Sequence, residues 1–149
     1  MSDTIAAIAT PIGEGGLTII RFSGTDSLSV ALKLFYTPSG KSIKKLYPNK
    51  AHFGSIYEPT TRKCVDEVVL TWFKNPKSYT GEDVVEISAH GGTFVSSRIL
   101  GLVLDHGARL AEPGEFTRRA FMNGRIDLSQ AEAVADLISA VSDKALQAA

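Results

Sequence analysis

Thr80-Gly81-Glu82-Asp83-Val84-Val85-Glu86-Ile87-Ser88-Ala89-His90-Gly91-Gly92 is the stretch whose reading decides the fold. Val84, Val85 and Ile87 are β-branched, and Gly91-Gly92 would end any helix begun here, so the stretch reads as a short strand closed by a tight turn. On a strand Asp83, Val85, Ile87 and Ala89 share one face and Val84, Glu86, Ser88 and His90 the other. A helix would bring Glu86 and His90 together as i,i+4 neighbours and suggest a metal site. On a strand they stand roughly 13 Å apart, at about 3.3 Å per residue, too far to share an ion. What remains is a carboxylate in mid-strand, which must find donors or stay wet. The bland reading is a solvated face of an antiparallel sheet.

Working outward, the 149 residues suit one domain, or one domain with an appendage. Sixteen basic and sixteen acidic residues cancel, which argues against a whole-chain grip on nucleic acid but leaves room for a local patch. A single cysteine, Cys64, excludes an intrachain disulfide and a thiolate metal cluster. Met1-Ser2-Asp3-Thr4 lacks the basic and apolar regions of a signal peptide, and no apolar run approaches the ~18 residues of a membrane span. The expected setting is the cytoplasm, away from the membrane.

Upstream of the opening stretch, residues 4–9 read as a strand and 10–16 as a glycine-rich loop. The loop lacks a Lys-Ser/Thr ending and precedes a strand, so it reads as a close-packed turn rather than a P-loop. Residues 17–23 form a second strand, apolar on both faces as if covered on both sides, with Arg21 as the exception. Arg21 either snorkels at the strand end or presents a guanidinium fork to a planar or anionic ligand. Ser23-Gly24-Thr25-Asp26 offers capping residues for a helix over about 26–36, and a surface loop with Lys41, Lys44, Lys45 and Lys50 follows. Strands from His52 to Glu58 and from Val65 to Phe73 make a hairpin in which Val68, Leu70 and Trp72 share a face, with Trp72 in the core and His52 structural.

Downstream, a helix over about 93–106 ends at Gly107 as a left-handed cap, and its N-terminus beside His90 is a modest anion site. Residues 108–111 form a short last strand. Glu112-Pro113-Gly114-Glu115 turns into a helix with Phe116 and Ala120 on one side and Arg118 and Arg119 exposed. Asp127-Leu128-Ser129-Gln130 matches a capping box, opening a long amphipathic helix that runs to Ala149. That bare helix points to a longer protein or to docking into another chain.

Several motifs, in order, now stand together: Ala9-Thr10-Pro11, Gly15-Gly16, Arg21, then Tyr79-Thr80-Gly81-Glu82-Asp83, Glu86 and His90-Gly91-Gly92, then Glu112-Pro113-Gly114-Glu115-Phe116-Thr117-Arg118-Arg119-Ala120-Phe121, and Asn123-Gly124-Arg125-Ile126-Asp127-Leu128 with Gln130-Ala131-Glu132-Ala133. They closely resemble the N-terminal part of the MnmE (TrmE) tRNA-modification GTPase family over essentially the whole chain. The resemblance implies an α+β fold: a mixed sheet of about five to six strands with helices packed on it, similar to the folate-binding domain of aminomethyltransferases. The first helix of an all-α domain would follow, with residues 1–120 the folate-binding and dimerisation domain and 121–149 the linker and first helix.

The resemblance further implies a homodimer that binds a tetrahydrofolate one-carbon donor, 5-formyl- or 5,10-methylene-tetrahydrofolate, near its interface. With an FAD-dependent partner, MnmG (GidA), such proteins build a carboxymethylaminomethyl-type group on C5 of the wobble uridine of tRNA. Matching positions put folate contacts at Arg21, Glu86 and Arg125, with Ser88, His90 and Gly91 lining the pocket and no residue assigned to catalysis. Ile12 and Glu14 depart from the proline and basic residue common at those loop positions. No Gly-x-x-x-x-Gly-Lys-Ser/Thr and no C-terminal cysteine motif are present. GTP, Mg2+ and K+ would therefore belong to a GTPase domain outside this sequence, and the chain itself is expected to be non-hydrolytic. Two rival readings are a dimerisation scaffold without a ligand and direct RNA binding through Lys41, Lys44, Lys45 and Lys50.

Overall fold

The computed structural model describes residues 3–10 and 16–137. The glycine-rich turn over 11–15 and the last helical stretch over 138–149, both read from sequence above, lie outside the described residues. A seven-stranded mixed sheet runs through the molecule. In chain order come β1 (Ile5–Ile8), β2 (Thr18–Ser23), helix α1 (Ser27–Leu34), β3 (Phe35–Tyr36), β4 (Ala51–Tyr57), β5 (Cys64–Phe73), β6 (Val84–Ala89), helix α2 (Gly92–Asp105), β7 (Arg109–Leu110) and helix α3 (Glu115–Met122). A fourth helix, α4, is described over 128–137. Across the sheet the order is β3-β4-β5-β6-β2-β1-β7. Neighbours pair antiparallel except β1 and β7, which run parallel.

The architecture is the α+β fold expected, with seven strands where five to six were anticipated. The strand not read from sequence, β3, is a two-residue edge, too short to carry a period; β7, also two residues, lies within the short last strand expected over 108–111. β3 also takes Phe35 and Tyr36 out of the helix expected over 26–36, because Phe35 turns extended (φ −101°, ψ 131°) and pairs with Ile56.

Alternation in β6 follows the sequence reading: Val85, Ile87 and Ala89 are buried, and Glu86 and Ser88 are half-buried. The core lies on the first of these faces. Ile20 and Phe22 of β2, Val85 and Ile87 of β6, and Leu70 and Trp72 of β5 meet Val30, Ala31 and Leu34 of α1 and Ile99, Leu102 and Val103 of α2. Each Val, Leu, Ile or Phe side chain among these, fully buried, contributes about 1.5–3 kcal/mol of transfer free energy. Gly54 sits where β4 passes under β3: a Cβ there would come 2.4 Å from the Tyr36 carbonyl oxygen and 2.6 Å from the Phe35 ring.

The opposite face corrects one expectation. β2 is central in the sheet, yet Ile19 and Arg21 are only half-buried and Leu17 is 63% exposed. Both helices that build the core pack on the Ile20–Phe22 side, so among the described residues the Arg21 side is covered at one end only, by α3 and the 78–82 loop. At the helix ends, Asp26 makes no side-chain cap bond; its backbone N–H donates to Thr4 Oγ1 at 2.9 Å instead. The Asp127 capping box forms as read: Gln130 N–H donates to Asp127 Oδ1 at 2.7 Å and Asp127 N–H to Gln130 Oε1 at 2.8 Å.

Candidate functional site

Register places Arg21 of β2 directly opposite Glu86 of β6. Both are interior strand positions, so their Cα atoms are held by ladder hydrogen bonds on each side. Arg21 Nε donates to Glu86 Oε2 at 2.8 Å, and a second guanidinium nitrogen reaches the same oxygen at 2.8 Å. The carboxylate left over in the sequence reading therefore has a charged partner, and the solvated-face reading is set aside. Both donors converge on one oxygen, leaving Glu86 Oε1 without a protein partner among the described residues. The pair is about three-quarters buried, with side chains 28% and 25% exposed.

Two aromatic rings flank the guanidinium. The Tyr79 ring centroid lies 5.8 Å and the Phe116 centroid 5.9 Å from Arg21 Cζ, within the reach of cation–π attraction. Tyr79 belongs to the 78–82 loop and Phe116 to α3, and they are linked through the Tyr79 hydroxyl and Thr117 Oγ1 at 2.8 Å. Between them and the start of the sheet is a hollow of about 270 Å³ walled by Ala7, Arg21, Tyr79, Phe116 and Thr117, with Val134 of α4 at its edge.

Arg125 is not in contact with the Arg21–Glu86 pair, but it is tied to the same loop. Its Nε donates to the Ser78 carbonyl at 2.9 Å, and Asn123 Nδ2 donates to the Thr80 carbonyl at 2.7 Å. Gly81, at φ 80°, lets these side chains close on the loop, since a Cβ would come 3.0 Å from Asn123 Cβ and 3.3 Å from Arg125 Cγ. Ser88 lies one step along the same sheet face, opposite Ile19. His90 is turned to the β5 side, where its backbone N–H donates to Asp66 Oδ2 at 2.9 Å and its Nδ1 lies 3.1 Å from the same oxygen. Gly91 beside it is the N-cap of α2.

A second layer of charge holds the loop against α3, and the sequence reading missed it. Arg119, expected to be exposed, is buried, because residues far away in sequence converge on it. Its guanidinium donates to the Asp3 carbonyl (2.6 Å), to Asp3 Oδ1 (2.8 Å) and to Glu82 Oε1 (3.1 Å), with Glu115 Oε2 at 3.4 Å. Ser23 Oγ, at the end of β2, donates to Glu82 Oε1 at 2.7 Å. Glu115 is only 3% exposed and is also gripped by Arg109 through both carboxylate oxygens. The Arg109 hydrogen bonds, helped by the Glu112 backbone N–H, pull the Glu115 carboxyl down to about 2 against the opposing effect of burial. The same arginine lowers the exposed Asp3 carboxyl. The signal available in sequence was the i,i+4 spacing of Glu115 and Arg119, ordinarily a surface pair.

A half-buried carboxylate paired to a guanidinium, with two aromatic rings beside a hollow that the guanidinium also lines, thus stands on the open sheet face of an α+β domain. A family model described as the GTP-binding protein TrmE N-terminus matches residues 4–125. The chain belongs to that family as its N-terminal domain. It is 54% identical over 147 residues to a tRNA modification GTPase MnmE of Lysinibacillus sphaericus, covering 99% of this chain and 32% of the relative. The same figures hold for the MnmE of Geobacillus thermodenitrificans, and that of Streptococcus pneumoniae is 53% identical over the same span. The chain thus spans about a third of the length of the curated relatives it matches.

Proposed function

We propose that the Arg21–Glu86 face binds the pterin ring of a tetrahydrofolate one-carbon donor, within a tRNA-modification GTPase that acts on C5 of wobble uridine. The observation that carries this reading is the pair itself, held in register by the sheet beneath the Tyr79 and Phe116 rings. A reduced pterin presents a ring N–H beside an exocyclic amine, and a carboxylate meets two parallel donors well. Glu86 has Oε1 open for one of them and Oε2 already oriented by Arg21. The flanking rings suit a flat heterocycle, and Arg125 on the Ser78 carbonyl is within the same loop system, where it can turn to an anionic substituent or tail carboxylate. When bound, the folate supplies the one-carbon unit; this chain's residues hold and orient it.

The same face supports a homodimer. Phe53, Val69, Ser88 and Ile19 form a row across four strands, next to the Arg21–Glu86 row. Phe53 is 58% and Leu17 63% exposed, an apolar surface that a second copy would cover close to the ligand. GTP, Mg2+ and K+ have no phosphate-binding Gly-Lys-Ser/Thr loop here and belong with the remaining length of the relatives, as does the encounter with the flavin-dependent MnmG partner.

Titration calorimetry with 5-formyltetrahydrofolate tests the site. Glu86→Gln should weaken binding by ~1–3 kcal/mol, the range for losing a hydrogen bond to a charged group. Unchanged affinity would remove Glu86 from the site. A protein that forms a dimer yet shows no folate heat at all would be a dimerisation scaffold alone.

A further inference from the structure

On the helix-covered side of the sheet, away from Arg21 and Glu86, the corner between α1, β5 and the 44–50 segment holds a groove of about 450 Å³. Its floor is Leu28, Leu32, Leu46 and Trp72, and every charged residue lining it is a lysine: Lys44, Lys45 and Lys74. In a chain with sixteen basic and sixteen acidic residues, this is local clustering rather than bulk charge.

The lysines are arranged, not scattered. Tyr47 stacks on His52 (centroids 6.4 Å apart, planes 10° apart), and the Lys45 and Lys50 ammonium groups lie 5.2 and 5.7 Å from its centroid. The Tyr47 backbone N–H donates to His52 Nε2 at 3.2 Å, which fixes the segment to β4. That bond makes Nε2 the acceptor nitrogen, so a neutral His52 carries its proton on Nδ1. Both His52 Nδ1 and Trp72 Nε1 are buried without an acceptor among the described residues. An apolar groove whose charged lining is all lysine is complementary to a ligand rich in anionic oxygens. Lys41 does not take part; its backbone closes the 37–41 turn with Thr37.

We propose that this groove contacts an RNA sugar–phosphate backbone, with Lys44, Lys45 and Lys74 on phosphates and Tyr47 setting the positions of Lys45 and Lys50. The contact is independent of the folate reading, lying on the other side of the sheet. Fluorescence anisotropy of a labelled, unmodified tRNA transcript, measured across a salt series, tests it in wild type, K44Q/K45Q/K74Q and K63Q. Lys63 lies in the distant 58–63 turn and serves as the control.

Removing three lysine–phosphate pairs along a single-stranded segment lowers the slope of log K against log salt by about 2. The triple variant should therefore bind at least about tenfold more weakly at low salt with a flatter slope, while K63Q binds as wild type. Y47A, which releases the lysines without removing charge, should weaken binding several-fold. Thermal melts show that each variant is folded. Unchanged affinity and slope in the triple variant, or an equal loss in K63Q, would overturn the proposal. So would a triple variant that keeps RNA affinity but loses association with a protein partner, since the groove would then be a protein-docking surface.

Discussion

Arg119→Met removes the centre of the buried charge network while keeping most of the side chain's volume. In the folded protein Arg119 answers two carbonyls and three carboxylates, two of the latter, Glu82 and Glu115, on side chains no more than 14% exposed. Removing one partner of a buried ion pair costs ~3–5 kcal/mol, because the remaining charge stays in a low-dielectric site. Here the cost should fall near ~3 kcal/mol, since Glu115 retains Arg109 and Glu82 retains the Ser23 hydroxyl. For a chain of this size 1 kcal/mol corresponds to roughly 2–4 °C in Tm, so calorimetry should show a fall of about 6–12 °C. Arg119→Lys keeps the charge without the fork and should fall between the two. The loss should also loosen the 78–82 loop, weakening the proposed folate binding through Tyr79 although Arg119 touches no part of the hollow. A Tm within about 2 °C of wild type would refute the reasoning, because it would mean the network's Coulomb energy only offsets its desolvation.

Other consequences follow from the same geometry. Glu115 has its carboxyl held at about 2 in the folded state against an ordinary 4.5, so the unfolded chain takes up its proton first as pH falls. Its contribution is complete above about pH 4.5 and is lost from there toward pH 2; urea midpoints across that window should fall less steeply in Glu115→Gln, and identical steepness would contradict the assignment. Gly54→Ala should destabilise by ~1–3 kcal/mol, the scale of overpacking a close approach, with the edge strand β3 losing amide-exchange protection before the rest of the sheet. Asp127→Ala should cost about 1 kcal/mol of helix stability and reduce ellipticity at 222 nm, since it deletes the reciprocal cap at the start of α4.

What could be read from sequence, and what could not, divides by the range of the interaction responsible. The β6 strand, its face alternation, the β4–β5 hairpin and the Asp127 cap are set by neighbours two to four residues away, and the structure agrees with each. Glu86 stood out because a carboxylate breaks a local apolar period, but its partner lies 65 residues earlier, and only the sheet register pairs them. Arg119 was misread for the same reason in reverse: its helix alone shows a surface arginine, while burial comes from Asp3, Ser23 and Glu82. Apolar residues on both faces of β2 suggested burial on both sides, because an open sheet face can have the same composition as a covered one. Tyr79 and Phe116 sat inside motifs that carried the family resemblance, yet nothing in their spacing said that both rings would meet Arg21.

The Arg21–Glu86 pairing also bears on how β2 and β6 find one another. A slip of one residue would turn every core side chain outward and is rejected by burial alone. A slip of two toward Ser88 is subtler: Ile20 would meet Ala89 and Phe22 would meet Ile87, and the hydrophobic account would hardly notice. Arg21 would then face Ser88, and a half-buried guanidinium and carboxylate would both be stranded. The charge pair thus proofreads strand alignment at the step size to which the apolar pattern is blind. A misaligned sheet would accordingly lack the Arg21–Glu86 pair altogether, rather than carry a weakened one.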